Sequence, residues 1–424
     1  MRSLTATEGQ ATAPCEGPER TAGARERCIA TARSAWRRWK RPLVLATGLT
    51  VVLRVLSDLV ALESAYGPSF LRLLQRGREL LIPVWNRWDA LHYLAIAEHG
   101  YRAAREVHGQ VGDGLPRNIA FAPMYPWVIH AVHVVTRIDW SASSQLASAV
   151  ALVVGLVGLE RLVSLDHSER TASTTVMLVV AFPTGFFLLA GYPESLALAL
   201  VVWAFVACRH GRWLLTGILL AAAVLTKFYL CVAVVPFLME LFARVGTREV
   251  RERWRHYSAR SLAVVVPPAL GLGAWMAWCY HLYRDPLAFV HVQAEWERTF
   301  GFPWTSISRN LYDIYHLRIL NPFVGTPIEV FDLITTLLLG VVAVYVFVRV
   351  RRSYGVFLAL AWCTFTFQTV LVSETREVLS LFPFFMGLAT WVDGHPWRER
   401  LLLCAFVPAA YFLIDRFVNR LFAG

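Results

Sequence analysis

Asp89 stands in the run Trp85-Asn86-Arg87-Trp88-Asp89-Ala90-Leu91-His92-Tyr93, and the spacing of its polar residues defines the chemistry open to this chain. At helical spacing Asp89, His92, Tyr93 and Ile96 share one face, so a carboxylate, an imidazole and a phenol project together. A carboxylate placed in this way can take the proton of a hydroxyl while that oxygen forms a new bond, which is general-base chemistry. A second reading is structural. Asn86, then Asp89 three positions later, then an amphipathic run closing on His99 and Gly100 describe a capped helix from about residue 87 to 99. On that reading Asp89 serves its own helix N-terminus, and Trp85 and Trp88 belong to an aromatic belt at a membrane surface.

The elements that hold this face are built for lipid. Of 424 residues, 56% are hydrophobic and 17% charged, and mean hydropathy is +0.48. These values exceed what a soluble core needs and describe a polytopic membrane protein. Apolar runs recur from residue 42 onward, each near the roughly 20 residues that cross a bilayer as a helix, and none alternates like a barrel strand. We place eleven spans near residues 42–62, 145–164, 172–191, 194–208, 213–226, 228–243, 261–283, 328–348, 354–372, 377–392 and 400–418. The expected fold class is an all-α polytopic membrane protein.

The net charge of +11 does not signal nucleic acid, because the basic residues sit in short clusters between apolar segments. Residues 1–36 have no apolar core and read as a disordered cytoplasmic tail, with residues 37–424 as a single membrane domain. Arg37, Arg38, Lys40 and Arg41 then hold the N-terminus in the cytoplasm, and the first span delivers Asp89 to the exoplasmic side. On this count the later clusters, around Arg161, Arg209, Arg251, Arg351 and Arg398, all return to the cytoplasm. The seven cysteines show neither a disulfide framework nor metal-ligand spacing, so no metal and no cofactor is expected.

Two exoplasmic stretches, 63–144 and 284–327, are too long to be connectors. In the first, Phe70–Ile82 and Met124–Val135 mix apolar and polar positions and read as interfacial helices. A tight turn at Lys227 and Phe228 between two short apolar segments must lie at or below the exoplasmic surface, which puts a polar site at membrane depth. Lys227 and Arg376, the latter in the turn Ser373-Glu374-Thr375-Arg376-Glu377, either snorkel to the headgroups or answer an anion. Glu194 opens a span, where a first-turn carboxylate is favourable, and Asp285 before Pro286 suits a turn. Arg54 and Asp58, four apart in the first span, pair with each other.

The run Arg87 to Tyr93, followed by Ile96-Ala97-Glu98-His99-Gly100-Tyr101 and Phe121-Ala122-Pro123-Met124-Tyr125-Pro126, resembles the signature of the PIG-V type mannosyltransferases. Their type member adds the second mannose of the GPI anchor. Phe182-Pro183 with Gly191-Tyr192-Pro193-Glu194-Ser195, Arg284-Asp285-Pro286-Leu287-Ala288-Phe289 with Gln293 and Trp296, and Arg376 before Phe382-Pro383 fit in the same order. The resemblance runs from residue 42 to about 395 and departs at Thr226-Lys227-Phe228-Tyr229, where the family carries arginine followed by small or polar residues.

The resemblance implies a GT-C-like helical bundle with a long first exoplasmic loop, an essential acid in that loop, and a polyprenyl-phosphate sugar as donor. The acid maps onto Asp89. Turning a β-linked polyprenyl phosphomannose into an α-mannoside takes one inverting displacement with Asp89 as base. A phosphate leaving group departs as a stable anion, so one carboxylate suffices. Arg376 and Lys227 would bind the donor phosphate. Arg87, His92, Tyr93, Glu194, Asp285, Gln293 and Trp296 would contact the substrates, the last two by hydrogen bonding and stacking on a sugar. The expected partners are this donor, the bilayer, and a glycolipid, lipoglycan or protein acceptor. Two other classes share part of the pattern: a multi-pass secondary transporter, although no internal repeat relates the two halves, and a non-catalytic lipid-binding membrane protein, although Asp89 is retained.

Overall fold

The computed structural model describes residues 18–66, 82–103, 117–243, 252–316 and 326–423. The chain divides into two compact units, Met1–Val44 and Leu45–Gly424, and the site lies in the second. Every regular element among the described residues is helical, apart from an isolated β-bridge between Phe300 and Gln368. This bears out the all-α expectation. In chain order the longer helices are α1 (Pro18–Tyr66), α2 (Asp89–Ala103), α3 (Met124–Thr136), α4 (Trp140–Val163), α5 (Glu169–Ala181), α6 (Glu194–Arg209) and α7 (Trp213–Val224). They continue with α8 (Val234–Phe242), α9 (Trp254–Tyr283), α10 (Pro303–Tyr315), α11 (Thr326–Arg349), α12 (Arg352–Thr366), α13 (Phe382–Val392) and α14 (Pro396–Val418). Helix α1 begins at Pro18, inside the segment whose composition reads as a tail. The interfacial helix expected over Phe70–Ile82 lies outside the described residues except for Ile82, whereas its companion is present as α3.

Among the described residues five helices are long and apolar enough to cross a bilayer: Trp39–Ser64, Trp140–Val163, Trp254–Tyr283, Ile328–Arg349 and Pro396–Val418. Helix α4 has 24 residues and extends about 36 Å at 1.5 Å per residue, enough for a hydrocarbon core of about 30 Å. Other apolar segments form shorter helices, and the span expected over 172–191 shows why. Its helix stops at Ala181 because Pro183 disfavours helical backbone at the residue before it, and Phe182 accordingly adopts φ −60° and ψ 146°.

From Phe182 to Pro193 the chain is buried and irregular, interrupted by one tight turn at Gly185–Leu188. Irregular backbone at membrane depth survives only where protein satisfies it, and here the partners are the two segments that matter most. The Gly191 N–H donates to the Trp85 carbonyl at 3.1 Å, Tyr192 Oη to the Arg87 carbonyl at 2.8 Å, and Thr184 Oγ1 to the Thr375 carbonyl at 2.8 Å. This loop therefore ties the Asp89 segment to the Arg376 turn. A Cβ at 191 would stand 2.0 Å from Asn86 Oδ1, so this close approach asks for glycine unless Asn86 gives up its place.

The remaining helices pack in sequence: α4 on α6, α6 on α7, α7 on α9, α11 on α12, and α13 on α5. Two apolar cores result. The larger is rich in phenylalanine, including Phe186, Phe205, Phe382 and Phe417, and the smaller gathers Tyr93, Tyr101, Phe121, Tyr125, Trp275 and Phe289. The break expected at Lys227 is present, for α7 ends at Val224 and a tight helical turn, Phe228–Ala233, leads into α8.

Candidate active site

Asp89 is the first residue of α2, and the residue before it, Trp88, takes a left-handed conformation with φ 53° that turns the chain into the helix. Regular helix ends where the sequence suggests, at Gly100, whose φ 73° and ψ 174° lie in a region that glycine alone enters readily. Asn86 does not cap this helix. Its amide oxygen accepts from Ser144 Oγ at 2.8 Å and its nitrogen donates to the Ser141 carbonyl at 3.3 Å, docking the segment on α4. Asp89 faces away from its own backbone toward a distant cation, with Arg376 Nη2 2.9 Å from its Oδ2.

Arg376 is the hub of a buried charge cluster assembled from four parts of the chain. Its Nε lies 3.2 Å from Glu194 Oε1 and its Nη2 3.9 Å from Glu377 Oε1. Lys227 Nζ donates to the same Glu194 Oε1 at 3.1 Å and to Glu377 Oε2 at 2.6 Å. The guanidinium also sits 5.2 Å from the Tyr192 ring centroid and 5.5 Å from that of Phe187. Cations and anions buried together hold each other in place, and removing either sign leaves the other unpaired at a cost of about 3–5 kcal/mol. Burial opposes the charge on Arg376, but Asp89, Glu194 and Glu377 outweigh it and hold the guanidinium well above its ordinary value. Arg376 therefore stays charged.

The cluster opens on a cavity of about 550 Å³ where the two cores meet. Asp89, Tyr93, Glu194, Lys227, Gln293 and Trp296 line it together with Arg376. Seven of the ten residues singled out from the sequence thus converge on one space, from α2, α6, the α7–α8 turn, the segment after α9 and the turn after α12. Two acceptors there have no hydrogen-bond partner among the described residues, Glu194 Oε2 and Glu374 Oε2, on side chains only 1% and 3% exposed. Burial, then the charges of Glu194 and Asp89, push the Tyr93 phenol well above its ordinary value, so it remains a donor. Burial, then Asp332, likewise push the Glu374 carboxyl well up.

Three residues from the sequence reading sit elsewhere. Arg87 donates from Nη1 to the carbonyls of Phe417 and Val418, closing the C-terminus of α14, where exposed carbonyls and the helix dipole favour a cation. His92 stacks on Phe121 at 4.6 Å behind the cavity wall. Asp285 accepts from the Leu287 N–H at 2.9 Å and pairs with His291 Nδ1 at 2.7 Å, and that hydrogen bond keeps its carboxyl below the usual range. Trp85 is no belt residue: it is 2% exposed, lies 5.9 Å from Phe417 in a near-parallel stack, and donates from Nε1 to Asp58 at 2.8 Å. Asp58 and Arg54 do pair, at 2.7 Å.

The structure adds two residues that sequence reasoning passed over, Glu377 and Arg298. Glu377 belongs to the same charged turn as Arg376, so the density of ionisable residues beside apolar segments was its only signal. Arg298 follows Trp296 by two positions and lines the cavity, with no motif to mark it. Among the described residues no grouping of His, Cys, Asp and Glu has the geometry to hold a metal ion.

Residues 120–271 match a family model described as dolichyl-phosphate-mannose-protein mannosyltransferase. The chain is 30% identical over 193 residues to GPI alpha-1,6-mannosyltransferase 2 of Rattus norvegicus, covering 41% of this chain and 36% of that one. It is 25% identical over 158 residues to GPI mannosyltransferase 2 of Yarrowia lipolytica, covering 37% of this chain and 41% of that one. The matches thus span about two fifths of the length of these relatives. Among solved structures it is similar to ArnT from Cupriavidus metallidurans bound to undecaprenyl phosphate, with a TM-score of 0.46, 15% identity, and coverage of 86% and 64% of the two chains. It is also similar to the Archaeoglobus fulgidus oligosaccharyltransferase, with a TM-score of 0.42, 12% identity, and coverage of 88% and 56%. The sequence matches bear out the resemblance to the PIG-V type read from the motifs.

Proposed function

We propose that this PIG-V-like chain is a GT-C type membrane mannosyltransferase that moves one mannosyl residue from a polyprenyl-phosphate donor to an exoplasmic acceptor. The observation that carries the reading is the state of Asp89 at the cavity wall. Its Oδ2 lies 2.9 Å from Arg376 Nη2, which holds the side chain in place, and the carboxylate lines the cavity into which an acceptor hydroxyl would come. In the reaction we envisage, Asp89 takes the acceptor hydroxyl proton as that oxygen bonds to the anomeric carbon. The bond from that carbon to the phosphate oxygen breaks, its electron pair leaves with polyprenyl phosphate, and the configuration inverts. Because the phosphate departs as an anion, the scheme needs no proton donor on that side.

The other lining residues suit the same scheme. Arg376 and Lys227 line the same cavity, and their guanidinium and ammonium are the groups that would meet the charge growing on the departing phosphate. Trp296, Gln293, Tyr93 and the unpartnered Glu194 oxygen offer the stacking face, donors and acceptor that a hexose requires. Glycolipids, lipoglycans and proteins with a free hydroxyl are the acceptor classes, and the cell membrane, with the N-terminus inside and the cavity outside, is the proposed setting. The test is transfer of label from polyprenyl phosphomannose by the full-length protein in nanodiscs, with an extract of lipids and glycoproteins as acceptor. A product heavier by one hexose, with release of polyprenyl phosphate, is expected. Uptake of a free solute into liposomes without any transfer would sink the reading.

A further inference from the structure

Among the described residues three cations line the cavity, and they are not equally engaged. Arg376 and Lys227 each lie within ion-pair distance of two or more carboxylates. A resting phosphodiester would have to displace those buried anions to reach either one, at a cost of several kcal/mol. Arg298 has no ion pair within 4 Å among the described residues, and its one side-chain hydrogen bond runs from Nη2 to the Val372 carbonyl at 2.6 Å. Most donors of its planar fork are unspent, and such forks match phosphate geometry.

The position of Arg298 is as telling as its valence. Glu297 turns the chain with φ 59°, and the Arg298 N–H returns to the Gln293 carbonyl at 3.1 Å, so arginine and glutamine belong to one closed turn beside Trp296. Just beyond, Phe300 bridges to Gln368, and Phe300 and Phe367 line the cavity mouth. Phe300 is 74% exposed and Trp304 66% exposed, and Phe302 lies 5.7 Å from Phe300 and 4.6 Å from Trp304. Exposed aromatic rings in a chain with membrane-crossing helices suit the boundary between headgroup and hydrocarbon. The mouth therefore places a spare phosphate-binding fork directly against an apolar rim, which is the order of groups in a lipid phosphate.

Resting on the donor class proposed above, we propose that Arg298 anchors the lipid-linked phosphate of the donor, with Phe300, Phe302 and Phe367 carrying its first isoprene units. Arg298 thus holds the single donor phosphate from the lipid side, Arg376 and Lys227 act on that same phosphate where its bond to the sugar breaks, and the sugar lies beyond it, against Trp296 and Gln293. The experiment uses the full-length protein in nanodiscs, with undecaprenyl phosphate as probe, undecaprenol as the uncharged control and inorganic phosphate as competitor, read by native mass spectrometry. Wild type should prefer the phosphate lipid by about tenfold or more. Arg298→Gln should lose that preference and Arg298→Lys keep most of it, with both variants melting close to wild type. Phe300→Ser with Phe302→Ser should weaken the lipid phosphate and leave binding of inorganic phosphate unchanged. An Arg298→Gln protein that keeps the preference, or inorganic phosphate competing as well as the lipid, would overturn the assignment. If wild type itself shows no preference for the phosphate lipid, the donor class fails and this anchor with it.

Discussion

Helix α6 carries a charged network at each end, and the two are built differently. At its start Glu194 joins Lys227, Arg376, Asp89 and Glu377, three carboxylates for two cations, and one Glu194 oxygen has no partner. At the other end of this 16-residue helix, and so about 22 Å away, Arg209 holds both oxygens of Asp166, and Arg351 holds both oxygens of Glu240. Ser353 adds a hydrogen bond to Glu240, and Arg351 reaches Asp166 at 3.3 Å. Two guanidiniums answer two carboxylates there, and none of the four lines the cavity. A matched set of charges fastens α6 to the neighbouring helix ends. An unmatched set with an acceptor to spare, opening on a cavity, is arranged to receive something.

The sharpest way to break this comparison is to empty the hub of the first network. Arg376→Ala leaves Asp89, Glu194 and Glu377 around Lys227 alone, and should lower unfolding stability by about 3–5 kcal/mol while abolishing transfer, read by thermal melting and the labelled-mannose assay. Gly191→Ala comes next. Its Cβ drives into Asn86 Oδ1, so the Asn86 side chain, which docks the Asp89 segment on α4, or the loop itself must shift, costing about 1–3 kcal/mol and most of the activity. A Gly191→Ala protein with full activity would detach that loop from the site.

The other end should respond in stability alone. Hydrogen bonds from Arg209 hold the Asp166 carboxyl below its ordinary range. A group lowered in the folded state stabilises above its unfolded value, near 3.9, and loses that contribution as pH falls through the folded value. Asp166→Asn should therefore lower the melting temperature by a constant amount from roughly pH 5 to 8, with the difference shrinking as pH falls below about 4 and closing only beneath the depressed folded value, with kcat unchanged. The smallest effect belongs to Asp285→Asn, which removes a turn contact to His291 outside the cavity and should leave transfer within about twofold.

The sequence foreshadowed much of the first network because its members break a local pattern. Asp89, Glu194, Lys227 and Arg376 are charges next to apolar segments, and the family motifs bracket three of them. Which charge meets which is a property of the fold: Lys227 and Glu377 are 150 residues apart and Arg376 and Asp89 farther still. Spacing alone also could not separate contact from support. Arg87 and Asp285 carry the same residue types as true cavity residues and His92 is as polar, but one closes α14, one makes a turn and His92 stacks behind the wall. Helix lengths were least legible, because an apolar run such as 172–191 looks continuous until Pro183 and the buried loop after it find partners in Trp85, Arg87 and Thr375.

The central claim is that the first network does chemistry through Asp89, and Asp89→Asn tests it with the least disturbance, since the amide keeps the shape and loses the base. Transfer of labelled mannose from polyprenyl phosphomannose by purified Asp89→Asn in nanodiscs should fall by about 10²–10⁴-fold, with donor binding and melting near wild type. A rate within a few fold of wild type would contradict the assignment and return Asp89 to the role of an anchor for Arg376.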